Sequence, residues 1–214
     1  MLVACWSVKG GSGTTVVAAT LALLLARSSE SGTVAADLGG DLPAAFGLPE
    51  PSGPGIGDWM RAHGDVPPDA LRRLELDVGQ GLRLLPRGMG PLPAAGGEQL
   101  ASALSGTGHV VVDCGSACEP AGLALAASAS LSLMVLRPCY LALRRALAAP
   151  LRPSGVILVD EPGRSLGRAD VEDVLGVPVR ARVAWDPAVA RCVDAGLLGA
   201  RVPRALERAL RQAA

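Results

Sequence analysis

Residues 8–15 read Val8-Lys9-Gly10-Gly11-Ser12-Gly13-Thr14-Thr15, between an apolar run (residues 2–8, LVACWSV) and a second that continues to Arg27. A short apolar run closed by a glycine turn reads as a buried strand. Residues 14–27 have helical composition and are apolar nearly all round, which predicts a buried helix rather than an amphipathic one. The join between them is therefore a strand, a glycine turn and a helix N-terminus. Gly10, Gly11 and Gly13 allow backbone conformations that turn several N–H groups into one concavity, a ready seat for an anion. Lys9 is the only lysine among 20 basic side chains. Its compact ammonium on a flexible stem suits a phosphate at close range, where a planar arginine fork is less easily placed. A tight turn with no ligand is the plain alternative, and the rest of the chain has to decide between them.

Outward from this join, apolar runs alternate with helical patterns. Strands are expected at residues 33–37, 82–85, 109–113, 131–136, 155–160 and 179–184. Helices are expected near residues 56–62, 68–74, 97–104, 120–128, 140–149, 168–175, 187–196 and 203–212. Alternation at this spacing predicts βαβ units, hence an α/β fold of three layers: a mostly parallel twisted sheet flanked by helices. Residues 39–93 are rich in Pro and Gly and read as an insertion or surface segment, because the alternation resumes after them. In such sheets ligands sit at the carboxyl ends of the strands. The glycine turn, Asp37 and Asp113 all fall there.

Bulk composition narrows the function. A chain of 214 residues, half of them apolar, can bury one sizeable core, and a single domain over residues 1–214 is expected. Formal net charge is zero, so composition supplies no bulk attraction to nucleic acid or acidic membranes; contact with DNA or a membrane surface stays open but unsupported. Aromatic residues are scarce (Trp6, Trp59, Trp185, Phe46, Tyr140), which argues against base stacking as the main mode of nucleic-acid recognition. Five scattered cysteines read as reduced buried thiols, and Cys114 and Cys118 have no partners at zinc-ligand spacing. His63 and His109 cluster with no acid or serine. Arg144, Arg145 and Arg152 read as a solvated helix face rather than a DNA contact, and the helix with Arg204, Arg208 and Arg211 beside Leu206 and Leu210 reads as an ordinary packed end helix rather than a membrane-surface one. The apolar stretch after Lys9 does not read as a secretory leader, because another apolar run precedes it. The chain is expected to be cytoplasmic, with peripheral membrane association left open.

Set against the P-loop pattern G-x-x-x-x-G-K-[ST], Gly13 and Thr15 match, while Val8 replaces the first glycine and Thr14 the lysine. KGGSGTT nevertheless resembles the deviant Walker A motif, KGGxGKT, of the ParA/MinD ATPases. VAADLGGDLPAAFGL (residues 34–48) is similar to that family's second motif, and VVVDCG (residues 110–115) resembles Walker B. The closing stretch, with Gly176-Val177-Pro178-Val179 and Asp186-Pro187-Ala188-Val189, follows the family pattern too. Similarity is weakest from Glu50 to Leu100. The missing loop lysine is a feature of the TadZ/CpaE-like branch, whose members act in localising pilus-assembly machinery.

The resemblance implies an ATP- and Mg²⁺-binding P-loop NTPase that dimerises with nucleotide and recruits a protein partner of a localisation or secretion system, in pilus assembly, septum placement or chromosome positioning. Lys9, Gly10, Gly11, Ser12, Gly13, Thr14 and Thr15 would then hold the phosphates, with Thr15, Asp37 and Asp113 at the metal. Lys9 would reach the partner's nucleotide, and Asp37 would orient the attacking water, with Asp41 competing for that role. Asp160 stands where relatives read the base. A carboxylate there accepts from an exocyclic amine but cannot donate, and a surface turn explains it equally well. The loop-internal lysine normally neutralises charge on the β- and γ-phosphates, so hydrolysis is expected to be weak or slow. The alternative is a degenerate scaffold that no longer binds nucleotide.

Overall fold

The computed structural model describes residues 1–62, 66, 67, 69–116 and 119–213. In chain order it runs β1 (Leu2–Ser7), α1 (Thr14–Ser28), β2 (Thr33–Asp37), α2 (Leu42–Phe46), α3 (Ile56–Arg61), β3 (Leu76–Gly79), β4 (Leu82–Leu85), α4 (Gly97–Ser105) and β5 (His109–Ser116). It continues with α5 (Pro120–Ser128), β6 (Leu131–Leu136), α6 (Tyr140–Leu147), β7 (Gly155–Asp160), α7 (Arg168–Leu175), β8 (Val179–Ala184), α8 (Pro187–Asp194) and α9 (Arg204–Leu210). The strands form one eight-stranded sheet in the order β3-β4-β2-β5-β1-β6-β7-β8. Every neighbouring pair is parallel except β3 with β4. The expected three-layer α/β architecture is therefore what the chain adopts.

Strand composition explains the burial. Successive side chains of a strand point to opposite faces, and β1 is buried along its whole length. Ala4 and Trp6 pack into one apolar layer with α3, α4, α5, α6 and α7. Val3 and Cys5 pack into the other with α1, α2 and α9. Burial on both faces is why the central strands carry unbroken Val, Leu and Ala runs. The buried Trp6 indole donates to Ser132 Oγ on β6 at 2.9 Å, which satisfies its one polar atom. On α1 every residue from Val17 to Leu23 is buried, a run that covers all sides of the axis, as expected of a buried helix.

The structure differs from the sequence reading mainly between Glu50 and Leu100. Residues 76–79, which carry no strand signal, form β3, and the expected helix at residues 68–74 is a single 3-10 turn at Arg72–Leu74 (Pro68 lies outside the described residues). β3 and β4 form a hairpin on the sheet edge, with Gln80 and Gly81 at positive φ (54° and 75°), as a two-residue turn of this twist requires. The terminal helix packs as an ordinary end helix, since Leu206 and Leu210 are buried in the α1 layer. Among the described residues, no helix is long and apolar enough to cross a membrane.

Candidate functional site

The join after β1 is open. Gly11 and Gly13 take positive φ (73° and 91°), the left-handed region where a side chain is strained, and Gly13 caps α1 in that conformation. A Cβ added at Gly10, Gly11 or Gly13 would meet nothing within 4 Å. These glycines answer a backbone need and leave free space above the turn. The turn is braced from below: the hydroxyls of Ser12 and Ser7 donate to the Lys9 carbonyl at 2.7 and 3.1 Å. Above it, among the described residues, the amides of Gly10, Gly11, Ser12, Gly13, Thr14 and Thr15 donate to no backbone carbonyl, and the first helical bond is Val17 N–H to Gly13 at 3.0 Å. Unpaired helix-start amides facing a cleft form an anion seat. Thr14, which replaces the usual lysine, is buried in the first turn of α1, and both Thr14 and Thr15 line the cleft.

That cleft has a volume of about 800 Å³, within the range that takes a cofactor-sized ligand. Gly39, Asp41, Arg87, Gly115 and Glu119 line it opposite the glycine turn. Asp37, the last residue of β2, and Asp113, beyond which β5 continues past its expected end to Ser116, are register partners on adjacent strands, and neither is exposed. Their environments differ. Asp37 accepts from Gly40 N–H at 2.7 Å and Leu42 N–H at 3.3 Å, so its carboxylate ties down the loop that leads into α2. Burial pushes its pKa up to about 7; the Gly40 bond opposes this and the Asp113 charge adds to it. Asp113 uses Oδ1 to accept from Gly115 N–H at 3.0 Å, while the buried Oδ2 has no hydrogen-bond partner among the described residues. Burial raises its pKa as well, with the Thr15 hydroxyl as the main opposing neighbour. Gly39 keeps this oxygen uncovered, since a Cβ there would stand 3.1 Å from Oδ2.

An orphaned buried carboxylate oxygen beside a threonine hydroxyl has the chemistry of a hard-cation site. Thr15 and Asp113 therefore fit Mg²⁺. Asp37 accepts an amide at each oxygen and ties down the loop into α2. Asp41 is exposed and lines the cleft, so of the two carboxylates weighed for positioning water it is the one in contact with solvent there.

Lys9 is exposed and does not fold back into the cleft of its own chain. Its charge is felt instead at Glu161 after β7, whose pKa is lowered first by Arg164, then by Arg137 and Lys9. Asp160 is forked by Arg182 of β8, with N–O distances of 2.9 and 2.7 Å, so an ion pair on the sheet edge already occupies it. A separate hollow adjoins the glycine turn on its other side, lined by Gly13, Val16, Arg137, Val159, Trp185 and Asp186. The Arg137 guanidinium lies over the Trp185 ring, 5.5 Å from its centroid. Asp186 caps α8 by accepting from Ala188 N–H at 2.8 Å, with Pro187 in the first turn.

Arg87 and the Trp185 hollow were not among the sequence-based candidates. Both directly follow strands, β4 and β8, so applying the strand-end rule to every strand would have found them. Of the remaining candidates, His63 and Cys118 lie outside the described residues. Arg144 and Arg145 are exposed on α6, whereas Arg152 donates to the Gly176 carbonyl at 2.6 Å. Cys5 and Cys114 are buried, and burial raises both thiols.

Compared with known proteins, this fold is that of the ParA/MinD class of P-loop ATPases. Among solved structures, MinD from Aquifex aeolicus superposes with a TM-score of 0.79 at 19% identity, over 99% of this chain and 93% of that one. A ParA-family ATPase from Chlorobium tepidum superposes at 0.77 and 20% identity, over 98% and 96%. The septum site-determining protein MinD from Pyrococcus horikoshii, complexed with Mg-ADP, superposes at 0.74 and 20% identity, over 99% and 93%. No family model matches the sequence, and no curated protein does.

Proposed function

We propose that the chain is an ATP-dependent spatial switch of the ParA/MinD kind, a nucleotide-dependent homodimer that recruits partner machinery and hydrolyses ATP weakly or slowly. The observation that carries this reading is the set of unpaired amides at residues 10–15 lining the cleft, with the Thr15 hydroxyl beside the buried Asp113 carboxylate. These amides would cradle the phosphates, and the Trp185 hollow would take the base. Thr15 and Asp113 would hold Mg²⁺, which would neutralise phosphate charge next to a cleft rich in carboxylates. Asp41 would orient water, and Asp37 would hold the loop that carries Asp41. Lys9, exposed at the edge of the turn, is free to reach a second copy of the chain, which supports cross-subunit charge supply. Localisation of pilus-assembly machinery, as in the TadZ/CpaE-like branch, is the process the missing loop lysine favours.

The test is Mg-ATP affinity measured across a range of protein concentrations together with solution mass, for the wild type and Lys9→Ala. The expected result is tighter binding as dimer accumulates, with Lys9→Ala remaining monomeric. Affinity that does not change with protein concentration would overturn the cross-subunit role. Thr14 also favours a second reading, a scaffold that has lost nucleotide; failure of the folded chain to bind Mg-ATP at millimolar concentration would establish it.

A further inference from the structure

The loss of the loop lysine leaves the cleft short of positive charge. Among the described residues Arg87 is the only basic side chain that lines it. Acidic groups at or beside the cleft include Asp37, Asp41, Asp113 and Glu119, so one cation there matters. We propose that Arg87 supplies within a single chain the charge that Thr14 omits, and that it reads the terminal phosphate of a nucleoside triphosphate. This rests on the nucleotide-binding reading above.

Arg87 is held by a built structure. Pro86 and Arg87 present their carbonyls to the first turn of α3, accepting from Ile56 N–H at 2.8 Å and Gly57 N–H at 2.9 Å. Gly55 and Gly88 let the two backbones meet: a Cβ on Gly55 would stand 2.3 Å from the Gly88 nitrogen and 2.4 Å from the Pro86 oxygen. The Asp58 carboxylate closes the contact by accepting from Gly55 N–H at 2.9 Å. This scaffold fixes the backbone of Arg87 independently of its side chain.

The side chain has capacity to spare. A guanidinium carries five N–H donors. Nη1 donates to the Leu38 carbonyl, and Nη2 lies 3.7 Å from Glu119, whose side chain is half exposed. Among the described residues the other donors have no partner, and Arg forks match phosphate geometry. Sheet order decides which phosphate they would meet. Along the carboxyl edge the Trp185 hollow lies at the β7–β8 end, the glycine turn follows β1, and Arg87 follows β4 beyond β5 and β2. A nucleotide with its base in that hollow and its phosphates over the turn points its last phosphate toward Arg87.

The test compares binding of Mg-ATP and Mg-ADP to wild type, Arg87→Ala, Arg87→Gln and Arg87→Lys, each verified by thermal melt. ATP affinity is expected to fall roughly tenfold or more in Arg87→Ala and Arg87→Gln while ADP affinity changes less than about twofold, as for loss of a charged hydrogen bond to one phosphate. Arg87→Lys should keep part of the ATP preference. Arg87→Gln retains an amide donor for the Leu38 carbonyl, so it decides the matter if Arg87→Ala fails to fold. ATP binding by Arg87→Gln as tight as by wild type overturns the assignment and leaves nucleotide binding intact. A folded wild type that binds neither nucleotide overturns both.

Discussion

The glycine turn at residues 10–13 and the segment from Gly55 to Gly88 are both glycine-rich, and they use glycine for opposite purposes. In the turn an added Cβ meets nothing, and the amides have no backbone acceptor. Where Gly55 and Gly88 meet in the second segment, an added Cβ on either strikes backbone at 2.3–2.9 Å, and the amides of Ile56 and Gly57 are bonded. One region is unsatisfied and roomy, the other satisfied and crowded. Since buried polar groups are almost always paired, the unpaired set marks where a ligand belongs, and the crowded set marks what holds the site in shape.

The contrast can be attacked experimentally. The largest effect expected is on the pH dependence of stability. Asp37 ionises near 3.8 when unfolded and at about 7 when folded, so between those values the native state holds a proton that the unfolded chain has released. Stability is therefore fullest at low pH and is lost as pH rises through about 7, by up to about 4 kcal/mol. Denaturant melts across pH 4–8 without metal should show this fall, and Mg-ATP should reduce it; a rise with pH would contradict it. Next in size, Gly55→Val should cost about 3 kcal/mol in the same melts by forcing apart backbones already in contact. Thr14→Lys should tighten Mg-ATP binding roughly tenfold, as for a charge-assisted contact worth about 1.5 kcal/mol, and should rescue Arg87→Ala; no rescue would mean that the two cations serve different phosphates. Smallest in stability is Gly10→Ala, within about 0.5 kcal/mol because the methyl enters empty space.

Much of this was readable in the chain itself. The unbroken apolar runs of β1, β5 and β6 and the regular helices between them announce a parallel sheet, because two-sided burial leaves that composition. Asp37 and Asp113 were visible as strand-end carboxylates, but what separates them was not. Sequence cannot show that Gly40 and Leu42 engage one carboxylate while Oδ2 of the other is left orphaned. β3 was invisible for a different reason. Leu76 to Gly79 is half exposed at a sheet edge and owes its strand form to pairing with β4 rather than to any pattern of its own. Arg87 is legible only as a residue shortly after a strand, since its place in the cleft depends on the long-range contact between Gly55 and Gly88.

The measurement closest to the central claim is calorimetric titration of Mg-ATP into the wild type and Gly10→Ala at matched folded concentration. Saturable binding by the wild type, abolished in Gly10→Ala with its melting temperature unchanged, is the outcome expected if the turn seats a triphosphate. Equal binding by both, or none by the folded wild type, would contradict it.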